Sequence, residues 1–272
     1  MRGRPVLVLC LTAVAGWCQR PLPAEQDRVI EATRQTALNY ARWLPDFICT
    51  EIIKRYDADG PRANFQSVDT LTIQLSFFRQ RETYKLMLHN GRPTDQTYES
   101  VAGAFTKGEF GSDLAMIFEP ESKTEFQWKS SANVRKHRVS VYSFRVDQAN
   151  SSYALIVGHD TVHTAYHGTL DIDPETNLVY RLASVADIPA GFPVAECSTT
   201  IDYDFVDVSG NRYLLPVHTE SLAADVPPKS AAPMPSVRRG GTVMPTQTRY
   251  WNVADFRSYR KFSADSKLTF DK

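Results

Sequence analysis

The sequence is poor in cysteine and has no surplus of either charge. Four cysteines in 272 residues are too few for a small disulfide scaffold. The 31 basic and 31 acidic residues balance, so nothing in the charge predicts nucleic acid as a partner. Its apolar N-terminal run is too short to span a membrane, so we expect peripheral membrane association or none.

Common catalytic and cofactor-binding motifs are also missing. The chain contains no G-x-S-x-G elbow, no H-E-x-x-H helix, no phosphate-binding P-loop and no G-x-G-x-x-G turn. Turn acids are scattered, and solvated faces and Asx turns account for them, as in Asp171, Asp173, Glu175, Asp202, Asp204 and Asp207. The sequence therefore predicts neither an enzyme nor a cofactor.

Residues 1–24 have the layout of a secretory signal. A basic start (Arg2, Arg4) precedes an apolar run, and no acid occurs before Glu25. Cleavage after Ala24 is favoured over cleavage after Ala15, because the earlier site would truncate the apolar run. We therefore expect an exported, periplasmic protein, the alternative being an apolar N-terminus of a cytosolic one.

Cysteine chemistry has two open possibilities. The stretch before Cys18 partly matches a lipoprotein signal, in which Cys18 would carry a lipid anchor. Cys49 and Cys197 both fall in predicted strands and could pair in an oxidising compartment, or stay buried as free thiols.

Hydrophobic periodicity predicts a mainly β protein. Residues 25–44 form an amphipathic helix that Pro45 ends. About ten stretches, among them residues 81–89 and 162–173, then alternate at period two, which indicates one large antiparallel sheet, an incomplete barrel or strongly curved sheet. Residues 99–118 instead show helical spacing broken by glycines. The Pro-rich segment 223–248 interrupts the pattern as an insertion in a single domain spanning 25–272.

The clearest segment is a hairpin at residues 166–193. Asp173-Pro174-Glu175-Thr176-Asn177 separates two alternating stretches. Pro174 suits the first central position of a type I turn, Asp173 can accept a bond from the backbone two residues on, and Asn177 tolerates the left-handed conformation.

Three histidines at spacing four, His159, His163 and His167, could share a face only on a helix. In a strand, residues four apart are separated by about 13 Å, too far for one metal ion. We therefore predict no metal site and place these histidines on the strand surface.

The inward-facing strand residues offer more apolar surface than one helix covers. Either the broken helices form a lid over a cavity, or they pack fully and leave no pocket. The candidates for a ligand cavity are Leu71, Ile73, Leu75, Phe77, Tyr84, Leu86, Leu88, Tyr166, Leu170, Ile172, Ile201 and Tyr203. The lid candidates are Phe105, Phe110, Leu114 and Ile117.

The order of elements and the hairpin Gly168-x-Leu170-x-Ile172-Asp173-Pro174-Glu175-Thr176-Asn177-Leu178-Val179 resemble the periplasmic lipoprotein carriers and sorting factors of the LolA/LolB type. The resemblance covers residues 25–222 and the last strand. It implies an incomplete antiparallel β-barrel with helices in its mouth.

Three functions follow as hypotheses. The first is a non-enzymatic exported carrier or sensor that binds an acyl chain, a lipoprotein or another apolar ligand on the concave face. The second is an envelope interaction or regulatory module that uses the Pro-rich segment and a sheet edge to bind a protein partner. The third, ranked last, is a hydrolase whose acids meet only in the fold.

Overall fold

The computed structural model describes residues 20–226, 234–235, 242–243 and 247–262. Its two α-helices are α1, Pro23–Trp43, and α2, Ser112–Phe118; short 3-10 turns lie at Tyr98–Ser100, Pro120–Ser122 and Gln148–Asn150. The strands are β1 Phe47–Asp59, β2 Gln66–Phe78, β3 Arg81–His89, β4 Arg92–Pro93, β5 Glu125–Val134, β6 His137–Val146, β7 Ala154–Val157, β8 Asp160–His163, β9 Ala165–Ile172, β10 Val179–Asp187, β11 Val194–Val208, β12 Asn211–Asp225, β13 Met234–Pro235, β14 Thr242–Val243 and β15 Thr248–Lys261.

Eleven of these strands form one curved antiparallel sheet. Their order is β4-β3-β2-β1-β15-β12-β11-β10-β9-β6-β5, while β7 with β8 and β13 with β14 form separate pairs. The two end strands do not pair with each other, so the sheet stays open. The predicted fold class, a mainly β, incomplete barrel with an N-terminal helix and short lid helices, is confirmed.

The hairpin between β9 and β10 has the predicted turn. Asn177 adopts a φ of 58°, and its N–H donates to the Asp173 carbonyl at 2.8 Å. The Asp173 Oδ1 accepts from the Glu175 N–H at 2.8 Å, the bond expected of an Asx turn. The single strand predicted for residues 162–173 is instead two, because Thr164 separates β8 from β9.

Helix α1 covers one half of the inner face of the sheet, which is the face that carries the core. Its buried stripe recurs every three or four residues and consists of Val29, Thr33, Ala37 and Tyr40. The Tyr40 hydroxyl donates to the Leu214 carbonyl at 2.8 Å. Side chains of α1, α2, β6, β9, β10 and β11 make one apolar cluster, here called the helix core.

The other half of the inner face is covered by residues 98–118, here called the lid segment. Tyr98, Val101 and Phe110 of this segment pack on β1, β2, β3 and β15 in a second apolar cluster, here called the lid core. The prediction that one helix is insufficient to cover the sheet is therefore confirmed by the presence of a second cover.

Of the two possibilities left open for Cys49 and Cys197, the structure has the free thiols and not the disulfide. Cys49 lies in β1 and Cys197 in β11, with β15 and β12 between them. Three inter-strand spacings amount to roughly 14 Å, against the ~5.5 Å that a disulfide requires between its Cα atoms.

The three histidines lie on the protein surface or at its margin. His159 and His163 are exposed on the β7–β8 hairpin, and the Nδ1 of His167 in β9 lies 3.0 Å from Asp187. Within the described ranges, no group of three histidine, cysteine or acidic side chains has an arrangement suited to a metal ion.

Neither α1 nor α2, the helices of the described part of the chain, combines the length and apolarity required to cross a bilayer. Cys18 and most of the predicted signal lie outside the described residues, as does most of the Pro-rich insertion.

Gly168 is expected to be indispensable for the packing of the hairpin. A Cβ at this position would lie 1.8 Å from the Ala183 carbonyl oxygen and 2.9 Å from the Phe144 ring. The variant Gly168→Ala should therefore lose about 3 kcal/mol of unfolding free energy, measured by urea denaturation.

A matched control is Gly158→Asn in the β7–β8 turn. Gly158 has a φ of 61°, which asparagine tolerates, and open space around it. This variant should lose less than about 1 kcal/mol. Equal losses for the two variants would contradict the close packing around Gly168.

Candidate functional site

The predicted cavity residues lie in two separate apolar clusters on the inner face. Leu71, Ile73, Leu75, Phe77, Tyr84 and Leu86 belong to the lid core, whereas Tyr166, Leu170, Ile172, Ile201 and Tyr203 belong to the helix core. Most of these side chains are fully buried. Above these two clusters the covers pack on the apolar side chains, so the structure has a closed form there. A separate groove of about 390 Å³ with a mostly polar lining lies beside the start of α1.

Leu88 departs from this set because of a β-bulge. The register of β2 and β3 shifts so that Leu86 pairs with Ile73 but Leu88 pairs with Thr72. Thr72 alternates with Ile73 and faces the outer side, and the bulge therefore turns Leu88 away from the inner face.

A small void remains beneath α1. It has a volume of about 10 Å³, which is at the lower limit for one water molecule. An acyl chain would need the covers to move. The void is lined by Thr36, Ala37, Tyr40, Leu114, Asn177, Leu178, Val179, Tyr203 and Leu214.

The four predicted lid residues have three different roles. Phe110 is 1% exposed and inserts among aromatic rings, with centroids 5.2 Å from Phe47 and 5.6 Å from Phe256. Phe105 is 42% exposed and packs on Tyr98. Leu114 and Ile117 belong to α2 and join the helix core. The lid segment therefore connects the two clusters.

A carboxylate from β3 holds the lid segment by its backbone. The two oxygens of Glu82 accept hydrogen bonds from the N–H groups of Gly108 and Phe110, each at 3.1 Å. The Tyr84 hydroxyl contacts Glu82 and also donates to Glu109 at 3.0 Å. Gly108 has a φ of 107°, which glycine adopts readily and which lets the lid backbone approach β3.

Three further side chains of the sheet bind lid backbone carbonyls. Arg55 donates to Ala102, Asn252 donates to Ala104 at 2.7 Å, and Tyr203 donates to Glu109 at 3.3 Å. Together with the two bonds to Glu82, these are here called the latch bonds. All five depend on the backbone of the lid segment rather than on its side chains.

Arg55 is oriented by a buried ion pair. Its guanidinium donates to both oxygens of Asp69, at 2.7 and 2.6 Å, and His89 contacts Asp69 at 2.8 Å. Burial alone would raise the pKa of Asp69, but the bonds from Arg55 and His89 outweigh it and lower the pKa. The pair fixes the guanidinium for its contact with the lid segment.

Three acidic side chains lie in or next to the lid segment, and two of them, Glu51 and Glu109, are buried. Glu51, Glu82 and Glu109 are here called the acid cluster. Burial, with added repulsion from Glu82, raises the pKa of Glu109 to about 7. Glu51 is 2% exposed, its Oε2 has no hydrogen-bond partner, and burial followed by repulsion from Glu109 raises its pKa well above the ordinary value.

The acid cluster was not predicted from the sequence, although the strand alternation places two of its members on the inner face. Phe47, Cys49, Glu51, Ile53 and Arg55 all lie on one face of β1, so an inward apolar face must include the acid. Extending the inward series Tyr84 and Leu86 back by two residues likewise places Glu82 inside.

Glu51 is expected to reduce stability when it is ionised. Because burial raises its pKa, the cost is absent at low pH and grows as pH rises above the ordinary glutamate range. Glu51→Met should therefore raise the unfolding free energy by about 1 to 3 kcal/mol at pH 8 and by less at pH 5, measured by chemical denaturation.

The matched control is Glu99→Met, which changes an exposed acid of the lid segment. A hydrogen bond from Lys107 lowers the pKa of Glu99, so this variant should not gain stability at pH 8. A Glu51→Met variant that is destabilised equally at both pH values would contradict the raised pKa.

No protein-family model matches the chain, and none of the curated proteins does. Among solved structures, a LolA superfamily protein from Nitrosomonas europaea is 9% identical with a TM-score of 0.39, covering 87% of this chain and 93% of its own. A putative outer membrane lipoprotein-sorting domain from Vibrio parahaemolyticus is 11% identical with a TM-score of 0.37, covering 89% and 94%. A DUF1329 family protein from Desulfovibrio piger is 9% identical with a TM-score of 0.35, covering 88% and 95%. The first two carry the names of the family that the sequence resembles.

Proposed function

We propose that this protein is a non-enzymatic carrier or sensor that binds an acyl chain, a lipoprotein or another apolar ligand on the inner face of the sheet. The single observation that carries the proposal is the nature of the lid. The apolar face made by β1, β2, β3 and β15 is covered by a segment that is latched through its own backbone and inserts few apolar side chains.

The energies of opening and of ligand binding are comparable. Each latch bond exchanges with water on opening and contributes about 1 kcal/mol, so the five together contribute roughly 5 kcal/mol. An acyl chain that buries about ten methylene groups gains roughly 8 kcal/mol. Opening would also expose Tyr98, Val101 and Phe110, which costs about 2 kcal/mol for each side chain unless these residues pack on the ligand instead. A ligand of this class therefore displaces the lid segment if it takes over these apolar contacts.

Export to the periplasm belongs to the same proposal. It depends on the basic start and apolar run of residues 1–24, with cleavage after Ala24; a lipid anchor at Cys18 is the alternative form of processing. A carrier of acyl chains would act in the cell envelope, either free or at a membrane surface. Its binding site on the inner face would shield the apolar ligand from water during transfer.

A photoreactive fatty acid would test this function. A palmitic acid analogue with a diazirine near its end should label β2 and the peptide around Phe110, located by mass spectrometry. Unmodified palmitate should compete. Labelling confined to the outer face, together with no lipid retained in native mass spectra of protein from its envelope, would rule the carrier out.

A variant with fewer latch bonds provides a second test of the same function. Glu82→Ala removes two latch bonds and should speed the uptake of a fluorescent fatty acid severalfold. Glu121→Ala, which changes an exposed acid just beyond the lid segment, is the matched control and should leave uptake unchanged. Equal uptake rates in both variants would show that ligand entry does not depend on opening of the lid segment.

A second candidate function, an envelope interaction module, is favoured by one feature. Strand β5 ends the sheet, so its outer edge has no neighbouring strand in the described part of the chain. An extended peptide of a partner protein could pair with this edge. Phe126 and Trp128, half-buried on its inner side, would offer apolar contacts.

Site-specific photo-crosslinking in cells would test the interaction module. A photoreactive residue at Gln127 in β5 should give a protein adduct, whereas one at Lys54, exposed on the outer face of β1, should give none. Adducts at both positions or at neither would contradict recognition through the β5 edge.

A further inference from the structure

The acid cluster has donors but no basic partner. Tyr84, Thr106 and two lid N–H groups are the hydrogen-bond donors to Glu82 and Glu109 in the described part of the chain. None of the ion pairs among the described residues includes Glu51, Glu82 or Glu109. Carboxyl groups crowded into an apolar layer without a cation favour the protonated form.

The cations nearest to the cluster are engaged elsewhere. Lys107 binds Glu99 at 2.5 Å, with its Nζ 5.4 Å from the centre of the Tyr84 ring, and Arg55 is paired with Asp69. The titratable and charged groups around the cluster are Tyr40 of α1; Cys49, Glu51 and Arg55 of β1; Asp69 of β2; Glu82, Tyr84 and His89 of β3; Tyr98, Glu99, Lys107, Glu109 and Asp113 of the lid segment and α2; Tyr203 of β11; and Tyr259 of β15.

We propose that the lid segment is a proton-controlled cover, which closes over protonated Glu51 and Glu109 and is released as these groups lose their protons. The inference rests on the proposed function, since it concerns how access to the same apolar face is regulated. The geometry provides the coupling. Glu109 is part of the lid segment itself, Glu51 lies on the sheet below it, and Glu82 links the two through its latch bonds.

The direction of the pH effect follows from the position of the protons. In the closed form the Glu109 carboxyl has a pKa of about 7, because it is buried beside Glu82. In the open form water surrounds this carboxyl, and its pKa returns toward the ordinary 4.5. Below both values opening releases no proton. Between them the ratio of open to closed molecules rises up to about tenfold per pH unit, and above 7 the contribution of Glu109 is constant.

Burial also raises the pKa of Glu51, so the loss of its proton likewise favours opening as the pH rises. Asp113 lies at the start of α2, where burial followed by repulsion from Glu109 raises its pKa, and it also favours closure at low pH. The Asp69 carboxyl has the opposite shift, so its ion pair with Arg55 persists through this range and keeps that latch bond. The pH-sensitive groups of the cover and of the sheet below it are therefore Glu51, Glu109 and Asp113.

Cys49 provides a built-in probe of lid opening. It is 1% exposed in β1, in the lid core beneath the lid segment, and adjacent in the inward series to Glu51. Its modification by a neutral thiol reagent can be followed by site-resolved mass spectrometry in the full chain without ligand. At each pH the rate is divided by the rate in denaturant, which removes the titration of the thiol itself.

We expect the protection of Cys49 to fall at least tenfold between pH 5 and pH 7.5. Glu109→Gln mimics the protonated side chain and should reduce the slope of the logarithm of Cys49 protection against pH by the contribution of about one proton. Glu51→Gln, a second variant, should also reduce this slope. Glu99→Gln, a change to an exposed acid of the same segment, is the matched control and should keep the wild-type slope.

Cys197 serves as the internal reference, because it lies in β11 away from the lid core and contacts Tyr153. If its protection falls in parallel with that of Cys49, the pH dependence reports global unfolding and the proposal is wrong. A slope that is unchanged in both Glu109→Gln and Glu51→Gln overturns it equally. Fatty-acid labelling of β2 without any pH slope would leave the carrier function standing and reject only the proton control.

Discussion

An open antiparallel sheet with an apolar inner face must be covered, and the rest of the structure depends on this constraint. Eleven strands place Leu71, Ile73, Leu170 and Ile201 on one side, where water is excluded only by other parts of the chain. Helix α1 and the lid segment provide the cover, and each protects its own half. The division into a helix core and a lid core follows from having two covers on one sheet.

The two covers are held by different forces. Helix α1 buries an apolar stripe with Val29, Ala37 and Tyr40, so its docking is dominated by the hydrophobic effect. The lid segment also buries apolar side chains, with Tyr98, Val101 and Phe110 in the lid core, but before α2 its backbone forms only one short 3-10 turn and is held by the latch bonds. The net contribution of these bonds is small because water can replace them. Such a segment lies at the low-stability end of a protein, where local opening is least costly. The lid core is therefore the half of the inner face that is expected to become accessible first.

The sequence predicted the sheet better than the site. Strict alternation placed most strands within a few residues, and β3 was predicted with its observed bounds, because period two is dictated by the pleat. Leu88 was misplaced because a bulge shifts the register, and bulges leave no signal in the alternation. The pairing of Cys49 and Cys197 could not be decided from the sequence because strand order is set by tertiary contacts. Glu51 and Glu82 were not predicted inside because period-two alternation marks charged residues as outward-facing, although both occupy inward positions.

The position of Glu51 is difficult to reconcile with stability alone. A residue that faces Ile73 on β2 and Phe256 on β15 would be more favourable as an apolar side chain of similar volume. Repulsion from Glu109 adds to burial in raising the pKa of Glu51, so closing the cover brings nearer two groups that repel each other unless they are protonated. A purely structural lid would gain from removing either acid. A lid that opens in response to pH needs a group whose free energy of burial depends on pH, and a buried carboxyl is such a group.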